Sequence, residues 1–110
     1  MVTLEKSSPI YRLVDSIVES LSPEKIILFG SYATGQADKE RDVDLLIVAD
    51  SDQDRLERTW QAYRLLRGKR ETPLDIIVLT PQEYEDMKKG GYPLIREVEE
   101  EGSVLYERRC

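Results

Sequence analysis

The chain contains no histidine, one cysteine, one tryptophan and one phenylalanine among its 110 residues. Without histidine, and with its only thiol at Cys110, it offers zinc almost no ligands. A lone cysteine forms no internal disulfide, which fits a reducing cytoplasm. No apolar run approaches the roughly 18 residues needed to span a membrane, and the N-terminus carries no signal-type pattern, so a membrane location is not expected. Basic runs are also missing. The net charge is −6, which disfavours sequence-independent binding to nucleic acid and suits a basic partner or neutralisation by metal. Repeats, low-complexity tracts and linkers are lacking as well. The length holds one compact domain with a modest core, expected over residues 1–110.

What the chain does have is concentrated in Gly30 to Val48. Gly30-Ser31 follows the apolar run Ile26, Ile27, Leu28, Phe29, and Asp42-Val43-Asp44 opens another, Leu45, Leu46, Ile47, Val48. Both runs are short, apolar and bounded by turn-formers, so both read as buried strands. Their polar residues then sit at strand ends, held by a rigid sheet yet open to a ligand.

Residues two apart on a strand point to one face, roughly 6.5–7 Å apart at Cα. Asp42 and Asp44 therefore project together. Two carboxylates about 4 Å apart repel by roughly 4 kcal/mol at an effective dielectric near 20, and a divalent cation between them removes that penalty. Oxygen-only ligands favour Mg²⁺ or Mn²⁺. On the other side, Gly30 lets a phosphate approach the backbone and Ser31 supplies a hydroxyl and a helix cap. A short helix over Ser31 to Thr34, stopped at Gly35, would aim free amides at an anion. A phosphate cradle facing a metal-binding pair suits a nucleoside triphosphate.

The remaining elements read as scaffold. Ser8-Pro9 opens a helix with Ile10, Leu13, Val14, Ile17, Val18 and Leu21 on one stripe, stopped at Ser22-Pro23. Ser51 or Asp52 caps a second helix to about Arg67. Its expected buried stripe is Leu56, Trp60, Tyr63 and Leu66, with Arg55, Glu57, Arg58 and Arg64 largely off it, and Gly68 ends it. A third strand runs Leu74 to Leu79. Asp75, near its start, is costly there unless solvated or paired. Beside the Asp42–Asp44 strand it would complete a three-carboxylate cluster. Thr80-Pro81 with Glu83 reads as a capping box for a helix to about Lys89. A fourth helix spans Tyr92 to Glu101, and Val104-Leu105-Tyr106 forms a short edge strand. The acids Glu97, Glu99, Glu100 and Glu101 read as a solvated face or as a surface for a basic partner.

G-S-x-A-x-G, a loop, then D-x-D leading an apolar strand resembles the nucleotidyltransferase superfamily that includes DNA polymerase beta. The size resembles its minimal (MNT) members, the antitoxin type paired with HEPN proteins. The resemblance covers Ile26 to Val48 and continues through Thr80. It implies an α/β (α+β) nucleotidyltransferase fold, with a mixed sheet of three to four strands flanked by helices. It also implies that Asp42, Asp44 and Asp75 are catalytic and hold two Mg²⁺ ions (or Mn²⁺), and that Gly30 and Ser31 bind the nucleotide. In the family the position matching Thr34 is frequently arginine, so a cation near phosphate is missing here.

The reaction so implied is transfer of AMP from ATP to a hydroxyl, with a tyrosine of a partner HEPN toxin as the leading acceptor. Two alternatives stand beside it. One is an antitoxin that blocks its partner by contact without catalysis, and the other is nucleotide transfer to RNA or a small molecule. Homo- and hetero-oligomers are both left open.

Overall fold

A computed structural model describes residues 9–30, 43–65 and 74–108. Along the chain run α1 (Pro9–Leu21), β1 (Lys25–Phe29), β2 (Val43–Val48), α2 (Arg55–Leu65), β3 (Leu74–Leu79), α3 (Pro81–Lys89), α4 (Pro93–Glu101) and β4 (Ser103–Glu107). The strands form one sheet in the order β3-β2-β1-β4. β1 pairs antiparallel with both β2 and β4, whereas β2 and β3 are parallel and joined through α2. The fold is therefore α+β with a mixed four-stranded sheet, as expected from the sequence.

β2 is central and apolar on both faces, as a strand covered on two sides must be. Alternate residues divide between two cores. Val43, Leu45 and Ile47 join Ile26, Leu28, Ile76 and Val78 under Ile10, Leu13, Val14 and Ile17 of α1 and Ala62 of α2. Leu46 and Val48 join Ile27, Phe29 and Leu79 under Tyr84 of α3 and Ile95 and Val98 of α4. Each fully buried leucine or isoleucine contributes about 1.5–3 kcal/mol. Leu45→Ala, at the centre of the first core, is expected to cost about 2–5 kcal/mol.

The helix boundaries follow local chemistry. The Thr80 hydroxyl accepts from the Glu83 amide at 3.1 Å, and the Glu83 carboxylate accepts from the Thr80 amide at 2.8 Å, so the anticipated capping box is present. For α2 the cap is Asp54, whose Oδ1 accepts from the Glu57 amide at 2.9 Å, rather than Ser51 or Asp52.

The buried face of α2 differs more deeply from the pattern reading. Leu56 and Trp60 are 67% and 58% exposed, while Arg58 and Ala62 point inward; Leu66 lies outside the described residues. Arg58 is buried because its charge is met in place. Its Nη1 and Nη2 donate to the Glu83 carboxylate at 2.6 and 2.9 Å, Nη1 donates to the Val78 carbonyl at 3.1 Å, and Nε donates to the Gln53 carbonyl at 2.9 Å. A guanidinium with its donors satisfied can replace an apolar residue under a helix.

The same helix covers the outer edge of β3. The Tyr63 hydroxyl accepts from the Ile76 amide at 3.0 Å, two residues before the Val78 carbonyl that Arg58 engages. Both backbone groups point away from β2, where an edge strand would otherwise present them unpaired.

Candidate functional site

The sequence places two aspartates on neighbouring strands, and the pairing register brings them side by side. Asp44 on β2 lies opposite Phe29 of β1 on one flank and opposite Asp75 of β3 on the other. Paired strands run about 4.8 Å apart, so in-register side chains on one face are close neighbours. Asp44 and Asp75 share the face that α3 and α4 cover further along. There β2 continues with Leu46 and Val48, and β3 with Ile77 and Leu79. The two acids mark the end of that face. Asp44 is half-buried and Asp75 exposed, so the carboxylates sit where the apolar covering gives way to solvent.

Gly30 completes this end of the sheet. It follows β1 directly with φ +77°, a backbone region that side chains other than glycine rarely adopt. A methyl group built there would overlap the Asp44 carboxylate, with Cγ only 3.2 Å away. Glycine is thus required twice, for the turn and for the space beside Asp44.

Among the predicted site residues, the structure brings together Gly30, Asp44 and Asp75. Ser31, Asp42 and the Ser31–Gly35 turn lie outside the described residues. No group of three His, Cys, Asp or Glu side chains arranged to hold a metal occurs among the described residues. The described pair supplies carboxylate oxygens on neighbouring strands, the ligand type that hard divalent cations take.

Two contributors escape a sequence reading. Tyr63 fastens α2 to the backbone immediately after Asp75. Arg58 ties α2 to Glu83, which heads α3. Glu83 was recognisable as a capping residue, but no local signal names a partner 25 residues earlier.

Compared with known proteins, residues 10–106 match the profile described as nucleotidyltransferase domain. The chain belongs to the nucleotidyltransferase domain family. Its register therefore sets two acids of a nucleotidyltransferase beside a glycine turn. A Methanocaldococcus jannaschii protein, provisionally named a protein adenylyltransferase, is 39% identical over 85 residues, covering 76% of this chain and 78% of that protein. Two solved structures share the nucleotidyltransferase fold. A toxin–antitoxin crystal structure with AMP-PNP has a TM-score of 0.62 and 20% identity, covering 96% of this chain and 76% of that one. A nucleotidyltransferase-type structure from Sulfolobus solfataricus has a TM-score of 0.58 and 24% identity, covering 98% and 93%. Among the described residues, no helix is long and apolar enough to cross a membrane.

Proposed function

We propose that this nucleotidyltransferase domain moves AMP from ATP to a hydroxyl on a protein, in the first instance a tyrosine of a HEPN-type partner toxin. The observation that carries the reading is the Asp44–Asp75 register at the open end of the sheet, next to a glycine turn that admits no side chain. The curated relative named for protein adenylyltransfer supports the reaction class. The fold shared with toxin–antitoxin structures, one of them with AMP-PNP, supports the partner class and the nucleotide.

In this reading Asp42, Asp44 and Asp75 are catalytic and together would hold Mg²⁺. Bound there, the metal would neutralise phosphate charge and polarise the reacting oxygens. Asp44 and Asp75 would set the negative charge at that end of the sheet, and Asp75, the more exposed acid, would also accept the proton of the attacking hydroxyl. Gly30 and Ser31 present backbone to the phosphates that leave. Positioning and charge neutralisation account for most of the acceleration in such transfers, so a small domain suffices.

The test is transfer of label from α-labelled ATP with Mg²⁺ to the co-purified partner toxin, followed by mass analysis of the toxin. The expected result is an adduct of one AMP that disappears in Asp44→Asn and in Asp42→Asn. Equal labelling by both variants and the wild type would remove the proposed mechanism.

A further inference from the structure

The two acids of the site are carried by unlike strands. Asp44 sits on β2, which is paired on both sides, whereas Asp75 is the second residue of β3, which among the described strands pairs with β2 alone. The end of an edge strand is where backbone opens most readily. Support for Asp75 comes instead from α2. The Ile76 amide, on the side of β3 away from β2, donates to the Tyr63 hydroxyl at 3.0 Å. That bond grips Asp75 as much as Ile76. A peptide unit is planar from one Cα to the next, so the Ile76 amide moves as one body with the Cα that bears the Asp75 carboxylate. Tyr63 is itself held: its half-buried side chain packs on the core beneath α1 and α2, where Ile76 also points. Asp75 projects to the other face, so the tyrosine reaches it through the backbone.

We infer that Tyr63 is a positioning residue for Asp75. Through the shared peptide unit it sets the spacing of the Asp44 and Asp75 carboxylates, and with it how well the pair holds a divalent cation. The cation enters here from the proposed transfer reading, on which the inference rests. Arg58 makes a comparable bond two residues further on, at the Val78 carbonyl. The peptide it grips joins Val78 to Leu79, both apolar and buried, so it secures the covered half of β3. The tie at Tyr63 falls where the strand carries its acid.

Tyr63→Phe keeps the ring and removes the acceptor, so its circular dichroism spectrum should match that of the wild type. Binding of Mn²⁺ to the full chain, read from loss of the free ion's electron paramagnetic resonance signal, is compared in the wild type, Tyr63→Phe, Asp75→Asn and the double variant. Tyr63→Phe should weaken binding about two- to tenfold, the range that one neutral hydrogen bond supplies. Asp75→Asn should weaken it as well. Adding Tyr63→Phe to Asp75→Asn should change nothing further, because the tyrosine acts through that acid. A tyrosine that only fastens the helix would leave Mn²⁺ binding as in the wild type, or lower it by the same factor in both backgrounds. Either result overturns the inference and leaves the transfer reading standing. A wild type that binds no Mn²⁺ overturns both.

Discussion

Arg58 of α2 and Glu83 of α3 meet at 2.6 and 2.9 Å, although their helices cover opposite faces of the sheet. The pair wraps the end of β3, with Arg58 buried and also donating to the Val78 carbonyl. Removing one member of such a pair leaves the other without its counter-charge. Arg58→Ala should therefore destabilise the fold by about 3 kcal/mol. Glu83→Gln should cost less, since one amide oxygen can still accept. Urea denaturation of both variants measures the difference.

The Arg58 hydrogen bonds also set an acid limit. They lower the Glu83 pKa from 4.5 to about 2. A carboxylate depressed on folding contributes stability that is complete above its unfolded value and is lost as pH falls toward its folded one. Stability should thus decline between about pH 5 and 2. In Glu83→Gln this part of the decline should be missing, as thermal melts across the range will show.

At the alkaline end the sign reverses. Burial, with help from the Glu99 carboxylate that accepts from its hydroxyl at 3.0 Å, raises the Tyr84 pKa to about 12. The unfolded chain therefore loses this proton first, and stability should fall as pH rises from 10 to 12. Tyr84→Phe should lessen that fall, which alkaline melts can measure.

Gly30→Ala tests the carboxylate end without touching a carboxylate. The substitution forces a side chain into φ +77° and against Asp44. A stability loss of about 1–2 kcal/mol is expected. ATP–Mg²⁺ should also raise the melting temperature of the variant less than that of the wild type. An equal rise would mean that Gly30 serves only the turn.

Trp60 reports on α2 directly because it is the only tryptophan in the chain. In dilute solution its emission should be red-shifted and open to acrylamide. Trp60→Ala should cost under about 1 kcal/mol, against the 3–5 kcal/mol expected of a core aromatic.

Much of the architecture was legible because short-range chemistry decides it. The apolar runs at residues 26–29 and 45–48 become strands, and Thr80 with Glu83 caps α3 as the residues suggest. The register of Asp75 with Asp44 was foreseeable only as a condition on strand order, which the parallel pairing of β2 and β3 supplies. The inward face of α2 was not legible. Hydrophobic spacing assigns Leu56 and Trp60 to the core, whereas a distant carboxylate on another helix lets an arginine occupy that place. The sequence pattern marks Gly30 for close approach to phosphate, but its contact with Asp44 is a fact of packing that no spacing reveals.

Tyr63 and Arg58 do more than brace a helix. By occupying the Ile76 amide and the Val78 carbonyl, they take up two of the backbone groups that an incoming strand would need on that side of β3. A strand added beside Asp75 would have to displace both side chains, so α2 disfavours extension of the sheet on the flank that carries one of the two acids.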